Sequence, residues 1–200
     1  MARGDPVARG VGQLRRLVVL PVAYTPGDCE WPDAAPRLDQ AAVLFLRDWK
    51  GYEVVRPPRA DSALRLARDL AEWQRTAGAG ASPPAALRNP LTGLARDLAG
   101  DGVLLIRAAP ACAGTAAKAL TAIASVVGSK DATLEAAAFE AGSGAPVWRS
   151  AIRPALWEGA QPPSGPSAYA MQRAIEEVFQ PMENAVPAVL KPAARQKEHP

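Results

Sequence analysis

The stretch Leu17-Val18-Val19-Leu20-Pro21-Val22 decides the fold of this chain. It is apolar throughout and rich in β-branched residues, which is typical of a strand covered on both faces. It is far shorter than the ~20 residues that a membrane-spanning helix needs. Because Pro21 cannot donate a backbone hydrogen bond, pairing with neighbouring strands should stop near the end of the run. We therefore expect a buried central strand with the other elements arranged around it.

The segments that follow alternate between helical and extended patterns. Apolar residues at helical spacing predict a helix from Pro36 to Trp49, and Gly51 is suited to end it. A strand over 52–56 comes next, so strand, helix and strand form a unit whose strands should be parallel. Similar patterns predict further helices over 61–76, 90–100 and 167–180 and a further buried strand over 103–106. The expected buried residues of the second helix are Leu64, Ala67, Leu70, Ala71 and Trp73.

The pattern changes after residue 133. Two extended runs, 133–140 and 146–152, flank Gly142-Ser143-Gly144 and predict an antiparallel hairpin. Residues 110–130 fit either a helix or a strand. The predicted fold class is α/β: a three-layer mixed sheet of three parallel strands plus a C-terminal antiparallel hairpin, with helices on both faces. The expected organisation is a flexible leader over 1–16, one domain over 17–180, and a Pro/Lys-rich disordered tail over 181–200.

The composition argues against several classes of function. The formal net charge of +3 is small, and the basic residues are spread along the 200 residues, so we expect no nucleic-acid partner. A metal site is not expected, because His199 is the single histidine and the two cysteines do not form a metal-binding motif. The first 16 residues lack the apolar region of a signal peptide, so any signal or lipid anchor would be absent from this chain.

The sequence contains no catalytic constellation. The loop around Gly27 follows the first strand, where many α/β folds bind phosphates, but it lacks the glycine-rich phosphate motifs. Ser143 does not lie in a nucleophile elbow, and His199 lies in the tail, so a Ser-His-Asp triad has no credible base. We therefore predict no catalytic residue, no cofactor and no enzyme activity.

Two tryptophans lie in proline-rich loops and are the candidate interface residues. Trp31 and Trp157 would serve as contact anchors if their rings are exposed, and the alternative is that they cover the core. Arg65, Arg68 and Arg75 are expected on the solvent-facing side of the second helix, where a partner-binding basic patch has no further support.

Four segments together resemble the CsgG-like and LpoB-like bacterial envelope lipoproteins, whose core is similar to the N-terminal domain of TolB. The segments are LVVLPV over 17–22, KGYEVV over 50–55, LAGDGVLLI over 98–106 and LEAAAFEAGSGAPVW over 134–148. The chain departs from the family pattern in lacking an anchor cysteine before the domain. The acidic residue expected before the hairpin turn is displaced to Glu140.

The resemblance implies a non-catalytic accessory protein of a Gram-negative envelope machine, periplasmic or associated with the outer membrane. Its partners would be other envelope proteins or further copies of itself, and no transmembrane segment is expected. The sequence leaves open whether Cys29 and Cys112 form a disulfide or stay separate thiols. In the implied fold the loops that carry them meet at one sheet edge, which favours a disulfide. The alternatives are a ligand-binding or enzymatic domain that uses the crevice at the carboxyl ends of the parallel strands, and a cytoplasmic scaffold.

Overall fold

The computed structural model describes residues 13–25, 31, 33–49, 51–58, 61–77, 81–109, 133–154, 157 and 165–185. Within these ranges an open mixed sheet of six strands lies between two layers of helices. The strands are β1 (Arg16–Val19), β2 (Ala23–Tyr24), β3 (Glu53–Val55), β4 (Gly102–Ala109), β5 (Thr133–Glu140) and β6 (Pro146–Ile152). The helices are α1 (Ala34–Leu44), which continues as a π-helical turn (Phe45–Trp49), α2 (Asp61–Thr76), α3 (Ala85–Asp97) and α4 (Ala168–Ala185).

Strand β1 lies in the interior of the sheet, as its sequence predicts. The strand order is β3-β1-β4-β5-β6, and β1 pairs in parallel with both of its neighbours. Leu17 is opposite Val54 on one side, and Val18 is opposite Val103 on the other. The predicted central strand with a parallel neighbour on each side is therefore confirmed.

Pro21 interrupts the pairing of this segment with β4, and the pairing continues on both sides of the proline. The N–H of Leu20 still donates to the carbonyl of Leu104, at 2.9 Å. Pairing resumes with β2, where Ala23 is opposite Arg107. Since Val19 is opposite Leu104, four residues of this chain segment advance along three residues of β4. The extra residue makes a bulge at the proline, which has no N–H to contribute to the ladder.

The predicted hairpin forms the other half of the sheet. Strand β5 pairs antiparallel with both β4 and β6. At the turn, Gly144 has a φ of +67°, a left-handed conformation that suits glycine. Its N–H donates to the carbonyl of Glu140 at 2.8 Å, and the N–H of Glu140 donates to the carbonyl of Ala145 at 2.9 Å. These two bonds close the connection between β5 and β6.

The alternation of side chains along β1 divides the core into two clusters. Leu17 and Val19 face α1 and α4, and Val18 and Leu20 face α2 and α3. All four side chains are fully buried. Burying one such side chain contributes about 1.5–3 kcal/mol, so this short strand supports both layers at once. The three-layer α/β class predicted from the sequence is the fold that the structure has.

Two helices differ in detail from the prediction. The buried side of α2 is formed by Ala63, Leu66, Ala67, Leu70, Ala71 and Gln74. Leu64 is therefore on the exposed side and Trp73 is only partly buried, because the helix is rotated relative to its simple apolar pattern. Helix α3 begins at Ala85, so Pro90 lies inside it rather than in its first turn. The exposed position of Pro90 keeps its ring away from the packed side, which Leu91 and Ala95 form.

Residues near both ends of the described ranges take part in the fold. Leu14 is buried in the core, and the carbonyl of Arg15 accepts the N–H of Glu53 at 2.9 Å. At the other end, the hydroxyl oxygen of Ser167 accepts the N–H of Ala170 at 3.1 Å and caps the helix that follows. Helix α4 then runs through Pro181 to Ala185 instead of ending near residue 180.

Candidate functional site

The two candidate interface tryptophans are buried against each other. Trp31 is 3% exposed and Trp157 is 2% exposed, and their rings meet edge to face with centroids 5.9 Å apart. A Cβ added to Gly165 would lie 2.9 Å from Cγ of Trp31, so the chain passes directly against this ring. Of the two alternatives that the sequence left open, the structure shows the second, in which both rings are buried in the core. A role of either ring in partner binding stays a prediction.

Cys29 and Cys112, the predicted disulfide, lie outside the described residues, and their pairing stays a prediction. The strands that lead to them are described, and they are neighbours. Tyr24 in β2 is opposite Ala108 in β4, and the next N–H, that of Thr25, donates to the carbonyl of Ala108 at 3.0 Å.

A charged groove of about 660 Å³ opens beside these strand ends, between α2 and the sheet. Its charged lining consists of the basic residues Arg68, Arg75, Arg107 and Arg153 and the acidic residues Asp69 and Glu72. It lies at the carboxyl ends of the parallel strands, where open α/β folds usually bind their ligands. This is the crevice that the alternative function would use, and it carries more positive than negative charge.

An Arg–Glu–Arg cluster lies at the sheet side of the groove. Nη2 of Arg107 contacts Oε1 of Glu135 at 2.9 Å, and Nη2 of Arg149 contacts Oε2 of the same carboxylate at 3.4 Å. The side chains of Arg107 and Glu135 are each 11% exposed, and that of Arg149 is 28% exposed. The antiparallel register produces this cluster, because Arg107 is directly opposite Glu135 across β4 and β5. One carboxylate thus forms ion pairs with two guanidinium groups at a position that is largely shielded from water.

Two buried donors next to this cluster have no hydrogen-bond partner in the described part of the chain. They are Nε of Arg107 and Nε2 of Gln74. The backbone carbonyl of Gln74 accepts a bond from Nη2 of Arg149 at 3.4 Å, which ties α2 to the cluster. Since buried polar groups are normally satisfied, this pair of donors is a feature that packing alone leaves unexplained.

On the α2 side of the groove, Glu72 and Arg75 form an exposed pair. Nε of Arg75 donates to Oε2 of Glu72 at 3.1 Å, and Nη2 donates to the other carboxylate oxygen. The bond from Arg75 holds the pKa of the Glu72 carboxyl below its ordinary value. These two charges therefore largely neutralise each other at neutral pH.

A second groove, of about 470 Å³, lies between α1 and α4 on the opposite layer. Its apolar lining consists of Ala41, Leu44, Phe45 and Ala168. Leu44 is 51% exposed, so about half of its side chain is open to solvent within this groove. Its polar lining consists of Arg37, Gln40, Asp48, Gln172 and Glu176. A surface that combines apolar and polar side chains in this way is compatible with protein binding.

Sequence reasoning missed most of this arrangement. It predicted that Arg68 and Arg75 are solvent-facing on α2, which is confirmed, but it did not predict that both line the charged groove. The signal that could have found the site is the charge inside two otherwise apolar strands, at Arg107 and Glu135. A charged residue in the middle of a buried strand needs a partner, and each strand supplies one for the other.

The described residues contain no group of three or more side chains of the kinds that hold metal ions. Of the helices in the described ranges, none combines the length and the hydrophobicity needed to span a bilayer.

No protein-family model matches the chain, and no curated protein matches it. The solved structures to which it is similar include the PelC dodecamer from Paraburkholderia phytofirmans, at 16% identity, with 91% of this chain and 96% of that chain covered and a TM-score of 0.43. The C-terminal domain of LpoB from Salmonella enterica is 18% identical, with 70% and 82% covered and a TM-score of 0.35. The lipoprotein GNA1162 from Neisseria meningitidis is 15% identical, with 86% and 99% covered and a TM-score of 0.37.

Proposed function

We propose that this chain is a non-catalytic accessory protein of the bacterial cell envelope that works by binding another protein. The observation that carries the proposal is the groove between α1 and α4, where the half-exposed Leu44 lies beside Phe45 and Ala168. An exposed leucine in a concave, mainly apolar surface is stabilised when a partner side chain covers it. The order of the four sequence motifs over 17–148 supports the envelope location.

The groove also has the structural support that a binding surface requires. Phe45 stacks on Phe179 of α4 with ring centroids 5.8 Å apart, and Phe179 stacks on Trp148 of the sheet at 5.7 Å. This column of rings holds α1 and α4 at a set separation. A partner would therefore meet a preformed surface and would lose little affinity to ordering it.

Site-specific photo-crosslinking in cells tests the proposal. A photoreactive amino acid replaces Leu44, and the matched control carries it at Leu64, which is 39% exposed on α2 across the sheet. We expect crosslinks from position 44 to one dominant envelope protein, identified by mass spectrometry, and none of comparable yield from position 64. Leu44→Glu should abolish the same complex, because it places a charge in an apolar contact.

Two outcomes would count against this function. Equal, diffuse crosslinking from both positions would show that Leu44 is an ordinary exposed leucine. A dominant crosslink to a second copy of the chain would replace partner binding with self-assembly, which light scattering of the purified protein would then confirm or exclude.

A further inference from the structure

The groove between α2 and the sheet has more arginine side chains than carboxylates in its lining, so it carries a net positive charge. Glu72 is engaged by Arg75, which leaves Asp69 as the remaining carboxylate of the lining. The positive charges of Arg68, in α2, and Arg153, which follows β6, exceed this single negative charge. In the described part of the chain neither of these two guanidinium groups has an ion pair or a hydrogen bond. Two guanidinium groups without partners in that part of the chain, from separate elements, thus line one concave surface.

The sheet side of the groove adds to this excess. Arg107 lines the groove, and it shares the single carboxylate of Glu135 with Arg149. Two guanidinium groups share one carboxylate, so the cluster carries one net positive charge beside the groove. Nε of Arg107 is in addition a buried donor without a partner among the described residues. A buried donor without a partner is unfavourable, so an oxyanion that accepts a hydrogen bond from Nε of Arg107 would be stabilising here.

The size of the groove narrows the class of ligand. Its volume of about 660 Å³ falls within the range of small-molecule sites and is far larger than one inorganic anion needs. Guanidinium groups bind carboxylate and phosphate oxygens through paired hydrogen bonds. We propose that this groove binds a small polyanion, a molecule with at least two oxyanion groups, one held by Arg68 and Arg153 and another near Arg107. This site is on the face of the sheet opposite the α1–α4 groove and does not depend on the proposed function.

Calorimetric titration of the whole chain tests the site with two probes, pyrophosphate and citrate. Both are small polyanions, and comparing them separates a phosphate ligand from a carboxylate ligand. Sodium chloride of matched ionic strength is the blank. We expect one-to-one binding of at least one probe, weakened about tenfold by Arg153→Gln and by Arg68→Gln, since each loses one paired contact. Arg65→Gln is the matched control, because Arg65 is on the same helix but does not line the groove.

A variant that should bind more tightly distinguishes a true effect on the site from a loss of binding caused by misfolding. Asp69→Asn removes the unengaged carboxylate of the lining and should strengthen binding several-fold, with the same thermal unfolding midpoint as the unmodified chain. Binding should also weaken as the salt concentration rises, because the charges are at the protein surface.

Three results would overturn the proposal. The first is no binding of either probe at about 10 mM, an affinity too weak for a built site. The second is an equal loss of affinity in Arg65→Gln and Arg153→Gln, which indicates general charge attraction. The third is a hexaglutamate peptide that binds much more tightly than both probes, which would make the groove a docking surface for an acidic polypeptide.

Discussion

Glu135→Gln tests whether the buried charge cluster holds the sheet and α2 together. The change keeps the size of the side chain and removes its negative charge, so Arg107 and Arg149 lose their common partner. Removing one partner of a buried ion pair costs about 3–5 kcal/mol. The contact to Arg149 is long at 3.4 Å, and that side chain is 28% exposed, so water can solvate it. We therefore expect the free energy of unfolding to fall by about 3 kcal/mol, at the lower end of this range.

Urea denaturation monitored by tryptophan fluorescence measures this loss. In a domain of this size it corresponds to a fall of about 6–12 °C in the unfolding midpoint. Glu53→Gln is the matched control, because Glu53 forms a 2.8 Å ion pair with Arg16 while its side chain is 63% exposed. A pair in water contributes at most about 1 kcal/mol. Arg107→Met combined with Glu135→Leu should recover most of the stability, since apolar replacement of a buried pair is often neutral.

A cost below about 1 kcal/mol for Glu135→Gln, equal to that of Glu53→Gln, would refute the claim that the cluster is dry and structurally necessary. The same variant also reports on the charged groove. Because it removes a carboxylate next to Arg107, it should tighten polyanion binding while it destabilises the fold. If stability and binding fall together, the cluster does not contribute positive potential to the groove.

Three further predictions concern the turn, the last helix and the cysteines. Hydrogen bonds from the Ser143 hydroxyl and then its backbone N–H lower the pKa of Glu140 from its ordinary 4.5. This stabilisation is therefore present above pH 4.5 and is lost as the pH falls through the lowered value, so the difference in urea midpoint between Glu140→Gln and the unmodified chain should shrink as the pH is lowered below 4.5. Ser167→Ala removes the cap of α4 and should cost about 1 kcal/mol in the same assay. Mass spectrometry under non-reducing conditions should find Cys29 bound to Cys112, and two free thiols would contradict the pairing; reduction should cost about 4 kcal/mol by the chain-entropy estimate.

The sequence predicted the sheet well because its strands are defined by local composition. The run over 17–22 is apolar at every position, and only an interior strand covers both of its faces. The hairpin over 133–152 was equally clear, since a glycine-rich turn separates two extended runs. The helix boundaries were less accurate. Pro90 suggested a first turn, but α3 begins five residues earlier, and Leu87 in this added part packs against the core.

The surroundings of the candidate residues could not be predicted, because they depend on contacts between distant segments. Trp31 and Trp157 are 126 positions apart in the sequence, which leaves open whether each ring is exposed or covers the core. Only in the folded chain do their rings meet and cover the core. The periodicity of α2 placed Leu64 inside, whereas the packed helix turns that residue outward.

The amino-acid sequence by itself determined the class of fold, the interior position of β1 and the direction of each neighbouring strand. These properties follow from hydrophobic periodicity and chain connectivity, which are local. Tertiary structure alone decided that Arg107 faces Glu135, that Arg68 and Arg153 converge on one groove, and that Leu44 stays half-exposed. Each of these depends on strand register or helix rotation, which are set by packing across the whole core rather than by neighbours in the chain.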